Sequence, residues 1–141
     1  MMLIKRVRGV RISAVRSLLR SVLAASPSYT CQVAAGHIVV YPDRLEFRTL
    51  VQGVDLVDRP RGVAAREYID FVSKRIDYFK NVGVLLGGVV ESPIFDERVS
   101  LDREARVIDH LGQLLGRDKS VFFVIQRAPS GGLLFSLGSV R

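Results

Sequence analysis

The chain has 141 residues, 48% of them hydrophobic and 25% charged, and its 21 Lys+Arg against 14 Asp+Glu leave a net charge of +7. This is one domain's worth of sequence with enough apolar residues for a single core, which excludes a disordered or collagen-like chain. One cysteine, Cys31, excludes an internal disulfide and a zinc site built on several Cys ligands, and no apolar run approaches the roughly eighteen residues that cross a bilayer.

The charge is concentrated at one end. Lys5, Arg6, Arg8, Arg11, Arg16 and Arg20 lie among the first twenty residues with no acidic residue between them, whereas from residue 21 onward 15 Lys+Arg face 14 Asp+Glu. Such a block suits a polyanionic partner. Arginine outnumbers lysine 17 to 4, which favours planar, bidentate recognition of phosphate. An Arg- and Ser-rich, acid-free, amphipathic start is also the composition of a mitochondrial transit peptide. One asparagine, two methionines and one cysteine make the composition thermophile-like, as a GC-rich genome also would.

Residues 2–12 read as a strand, with Ile4, Arg6, Arg8, Val10 and Ile12 on one face, placed at an edge of the sheet or ending in solvent. Ser13 caps a helix whose Val15, Leu18, Leu19, Val22 and Leu23 follow helical spacing, and Pro27 stops it. Residues 37–41 and 45–51 flank Pro42, Asp43 and Arg44 and predict a hairpin, with Leu45, Phe47, Thr49 and Val51 on the packed side of its second strand. Residues 63–80 predict one long helix with Ile69, Val72, Ile76 and Phe79 as its core stripe, ended by Gly83. Residues 82–90 read as a buried strand. Ser100 caps a last helix carrying Leu101, Ala105, Ile108, Leu111 and Leu115, closed by Gly116. A terminal hairpin joins 120–126 to 133–137. Together these predict a single α+β domain over 1–141: a sandwich of a mixed β-sheet with about three helices packed mainly on one face.

The catalytic inventory is poor. His37 and His110 have no partner at triad or metal-ligand spacing, and no phosphate-loop or dinucleotide-binding glycine motif occurs. The acids Glu91, Asp96, Glu97, Asp102 and Glu104 raise the question of two-metal nuclease chemistry, but Asp102 and Glu104 fall in an expected first helical turn, where the helix dipole favours them anyway. No catalytic residue, cofactor or metal ligand is assigned. Binding chemistry is richer: the six basic residues can neutralise phosphates, and Tyr29, Tyr41, Tyr68 and Tyr78 are candidates for stacking on unpaired bases.

The segment from Leu3 to Arg11, the segment Val63, Ala64, Ala65, Arg66, Glu67, Tyr68, Ile69 and onward to Val72, and the run Arg106, Val107, Ile108, Asp109, His110, Leu111 to Gly116 resemble, in that order, motifs of the small tRNA-recruiting subunit of the KEOPS complex, the PRPK-binding-protein family. Tyr68 and Val107 stand where that family has histidine and glutamine, and 93–103 reads as an insertion. The resemblance implies a non-catalytic, cytoplasmic partner of a kinase-like subunit, acting in tRNA processing by presenting tRNA for threonylcarbamoylation. The residues on their own lead to a nucleic-acid-binding accessory protein, RNA favoured over DNA. Two alternatives stand beside it: an assembly subunit whose basic end meets an acidic protein and whose strand edges pair into oligomers, and a metal-dependent nuclease.

Overall fold

The computed structural model describes residues 2–6, 29–34, 36–57, 62–87, 96–116, 121–129 and 131–139. Among them the strands are β1 (Met2–Arg6), β2 (Tyr29–Ala34), β3 (His37–Pro42), β4 (Gly53–Asp55), β5 (Val84–Gly87), β6 (Glu104–Arg106), β7 (Val121–Arg127) and β8 (Leu133–Ser139). The α-helices are α1 (Leu45–Arg48), α2 (Ala65–Arg75), α3 (Asp77–Val82) and α4 (Val107–Leu115), with a 3-10 turn at Thr49–Val51. The fold is α+β. Its main sheet has six strands in the order β2-β3-β1-β7-β8-β5, antiparallel except for the parallel pair β5 and β8, and β4 pairs with β6 in a separate two-stranded ribbon.

Alternation along the strands sorts the sheet into two faces. Val39 and Tyr41 of β3, Phe123 and Ile125 of β7, and Leu133 and Phe135 of β8 join one buried cluster with Phe47 of α1, Tyr68, Ile69 and Val72 of α2, Phe79 of α3, and Val107, Ile108, Leu111, Leu114 and Leu115 of α4. The described helices therefore cover one face of the sheet. Burying side chains of this size stabilises the fold by about 1.5–3 kcal/mol each before chain entropy is subtracted.

β1 corrects the expectation of an edge strand. It is hydrogen-bonded to β3 on one side and β7 on the other, with Ile4 opposite Val39 and Phe123. The apolar alternation of Met2 and Ile4 matches the buried positions of both neighbours, so the strand pairs on both sides despite the charges at its end. The edges are β2 and β5. Residues 7–12 and the helix expected from Ser13 lie outside the described residues.

The hairpin expected across Pro42, Asp43 and Arg44 is also corrected: β3 pairs with β2 across Gly36, whose φ of 75° suits the turn, and residues 45–51 are helical. Phe47 and Leu50, three apart, are the buried pair, while Leu45 is exposed, so the helical spacing overrides the period-two alternation. The Thr49 hydroxyl donates to the Glu46 carbonyl at 2.7 Å and holds the turn.

The long helix over 63–80 breaks at Ile76, whose φ of −90° and ψ of 118° are extended, so α2 and α3 are separate. The stripe survives the break, with Ile69, Val72, Ile76 and Phe79 all buried. Gly83 ends α3 at φ 80°, as expected of a C-terminal glycine. Ser100 does not cap the last helix. Residues 104–106 are drawn into β6 by pairing with β4, and the helix begins at Val107. The terminal hairpin forms as expected, with Phe123 opposite Leu137 and Ile125 opposite Phe135.

Candidate nucleic-acid interface

Of the six basic residues, Lys5 and Arg6 are described as backbone positions on β1, while Arg8, Arg11, Arg16 and Arg20 lie outside the described residues. Register puts Arg6 opposite His37 at the end of the strand and Lys5 opposite Ile38 and Phe122. In sequence, the basic block continues from the end of this strand, which pairs with β3 and β7.

The rest of the described surface is electrically matched. Arg44 and Arg127 bracket Glu46, Arg48 meets Asp43, Arg66 meets Asp96, Lys74 meets Asp70, Lys80 meets Asp77, Arg98 meets Glu67, Arg103 meets Asp55 and Arg106 meets Asp109, all between 2.6 and 3.7 Å. Arg75 instead lies over the ring of Phe71, 5.1 Å from its centroid. Exposed pairs of this kind contribute little to stability, but they cancel one another's field a short distance from the surface.

Two of the four stacking candidates are corrected. Tyr41 and Tyr68 are 4% and 0% exposed, so neither ring is open to a base, whereas Tyr29 is 38% exposed at the start of edge strand β2. The Tyr41 hydroxyl accepts from Nε2 of Gln32 at 2.6 Å, and Oε1 of Gln32 accepts from Arg106 at 3.0 Å. Arg106 in turn grips Asp109 with two bonds, Nε to Oδ2 at 2.8 Å and Nη2 to Oδ1 at 3.1 Å. That grip raises the Arg106 guanidinium further above its usual range. Burial raises the Tyr41 phenol, with the Gln32 hydrogen bond opposing. This chain of polar groups pins the N-terminus of α4 to β2 and β3. Tyr78 is half-buried and donates to the Gly131 carbonyl at 3.1 Å.

The acidic cluster does not assemble. Asp96 pairs with Arg66, Asp102 accepts from Gln113 at 2.6 Å, and Glu91 lies outside the described residues. Among the described residues no three His, Cys, Asp or Glu side chains converge to hold a metal ion, and no helix is long and apolar enough to cross a membrane. A cleft of about 380 Å³ between β4 and the α2–α3 break is lined by Gln52, Asp55, Arg75, Asp77 and Tyr78. The Lys80 ammonium lowers the Asp77 carboxyl, so this cleft presents mixed charge rather than a cationic surface.

Sequence reasoning located the basic block but missed the Gln32, Tyr41, Arg106 and Asp109 network. Only the three-residue spacing of Arg106 and Asp109 was visible in the sequence, and the other partners come together through the sheet. Comparison with protein-family models, curated proteins and solved structures finds no match.

Proposed function

We propose that this chain is a non-catalytic, cytoplasmic RNA-binding accessory protein in which Lys5, Arg6, Arg8, Arg11, Arg16 and Arg20 contact phosphates. One observation carries the reading: the Lys and Arg side chains of the described body beyond β1 are engaged by carboxylates or an aromatic ring, while the first twenty residues hold no acid to engage theirs. The surplus positive field therefore belongs to that block, and a polyanion is its natural complement. In its narrower form, following the resemblance to the KEOPS small subunit, the RNA is a tRNA and the chain is a recruiting subunit of a larger complex.

The test is titration into labelled tRNA with and without its unpaired 3′ tail, beside single-stranded and duplex DNA, at two salt concentrations. Tail-dependent binding supports the tRNA form. Salt-steep binding without preference supports a general phosphate binder, and absence of binding at low salt overturns the reading. Deleting residues 1–11 is unsuitable as a control, because it removes a central strand.

A second reading, an assembly subunit, is favoured by the composition of β2. This edge strand, Tyr-Thr-Cys-Gln-Val-Ala, carries neither charge nor proline, the usual guards against pairing with another strand. Light scattering of the protein with and without RNA separates the two readings.

A further inference from the structure

Among the described residues, each carboxylate in an ion pair holds one cation, with a single exception. Glu46 holds two: Nε of Arg44 and Nε of Arg127 each lie 3.5 Å from its Oε1. That oxygen is buried and accepts no hydrogen bond, so both contacts are ion pairs without hydrogen-bond geometry. The Glu46 side chain is only 10% exposed, whereas those of Arg44 and Arg127 are 56% and 52% exposed. A buried negative centre thus sits beneath two half-open cations.

The fold fixes all three backbones. Glu46 precedes the buried Phe47 in α1, and its carbonyl is held by the Thr49 hydroxyl. The Arg44 carbonyl accepts from the amides of Phe47 and Arg48 at 3.1 and 2.9 Å. Arg127 ends β7 opposite Leu133, and the next amide, of Ala128, donates to Gly132 at 2.9 Å. With both Nε atoms 3.5 Å from one oxygen, they are no more than about 7 Å apart, a gap that one phosphate group bridges with two of its oxygens. Two guanidiniums held this close repel each other, and one carboxylate offsets only one of them. The neighbouring pair of Arg48 and Asp43, at 3.4 Å, is balanced and adds no surplus. One positive charge is left over, and among the described residues neither guanidinium spends a hydrogen bond on the protein.

We propose that Arg44 and Arg127, aligned by the buried Glu46, form a clamp for one backbone phosphodiester. A diester carries a single negative charge and two unesterified oxygens, one for each guanidinium. Glu46 is a positioning residue: its carboxylate touches no ligand and holds two like charges together while the clamp is empty. The clamp stands on the ion-pair geometry; taking the diester from an RNA strand rests on the RNA-binding reading, to which it adds a fixed contact outside the first twenty residues.

The first measurement needs no RNA. Dimethyl phosphate titrated into the isotope-labelled full chain is expected to shift the Nε–H resonances of Arg44 and Arg127 together and saturably, while acetate at the same ionic strength does not. Absence of saturable shifts overturns the clamp whatever RNA does, and equal saturation by acetate overturns its assignment to phosphate. The second measurement compares affinities for labelled tRNA at two salt concentrations. Arg44→Gln/Arg127→Gln is expected to bind severalfold more weakly and with a shallower salt dependence, and unchanged affinity and slope overturn the RNA contact. Should that variant unfold, Arg44→Lys/Arg127→Lys keeps both charges but loses the planar fork, and is likewise expected to bind severalfold more weakly. Glu46→Gln separates positioning from net charge. It makes the protein one charge more positive, so a diffuse field predicts tighter binding, whereas the clamp predicts a severalfold loss as the two guanidiniums move apart. Tighter binding by Glu46→Gln overturns the positioning role. Saturable diester shifts in a protein that binds no tRNA leave the clamp standing and overturn the RNA-binding reading.

Discussion

The hydroxyl of Tyr68 lies 2.8 Å from Nδ1 of His110, and both side chains are wholly buried. On the far side of the ring, Nε2 is 2.7 Å from the main-chain carbonyl of Asp102, which can only accept. Nε2 therefore carries the proton, and Nδ1 accepts from the tyrosine. The ring edges meet at 74° with centroids 5.2 Å apart. This contact ties α2 to α4 and to the loop before β6 with no charge involved. Tyr68→Phe leaves the imidazole nitrogen buried without its donor and is expected to cost about 1–3 kcal/mol, read as a lower denaturant midpoint with an unchanged slope.

The same burial fixes a pH response. Desolvation, with a smaller contribution from Asp109, holds the Tyr68 phenol well above its ordinary 10.0. A group that keeps its proton more tightly when folded contributes stability that is complete below its unfolded pKa and is lost as pH rises through the folded one. Stability should thus decline above about pH 10, as the unfolded phenol ionises first. Phenolate absorbance followed against pH should show a late step that is missing in Tyr68→Phe. Identical titration curves for the variant and the parent, apart from amplitude, would contradict this.

Gly132 meets the backbone of the α3–β5 junction so closely that a Cβ there would collide with the carbonyl oxygens of Val82 and Gly83. Gly132→Ala should destabilise by about 1–3 kcal/mol or more through forced backbone displacement. The neighbouring Gly131 has φ 88° but open space around it, its nearest contact being a Val82 methyl at 3.9 Å. Gly131→Ala is expected to cost only the smaller conformational penalty, about 1 kcal/mol. Thermal melts of the two variants test the order.

For binding, replacing Arg8, Arg11, Arg16 and Arg20 by Gln should weaken RNA affinity and flatten its salt dependence. The log–log slope should drop by about 0.7 for each single-strand phosphate that is no longer neutralised. Tyr29→Ala should lower affinity for an unpaired RNA by about 1–3 kcal/mol if its ring stacks on a base, with Tyr29→Phe close to wild type. Equal affinity of the alanine and phenylalanine variants would remove Tyr29 from the interface.

Legibility in the sequence followed how local each determinant is. The stripe Ile69, Val72, Ile76, Phe79 and the β7–β8 hairpin are written in spacing and turn residues, and both were readable. Residues 45–51 satisfy period two in composition and period three in burial, so only the packing of Phe47 and Leu50 decides between them. Glu104–Arg106 carries helix formers but is captured by β4, a partner far away in sequence. The centrality of β1 was hidden for the same reason. The interior positions of Tyr41 and Tyr68 depend on Gln32 and His110, which no local pattern links to them. The basic block was legible because charge needs no partner to be counted.

The pairing of β1 with β7 sets an order of events during synthesis. β1 leaves the ribosome more than a hundred residues before β7, yet Leu3 and Val124 are direct neighbours in the finished sheet. Until the β7–β8 hairpin emerges, one side of β1 has no hydrogen-bonding partner, and a nascent chain must hold an open edge. A sheet joined through contacts this distant in sequence closes late and slowly rather than progressively.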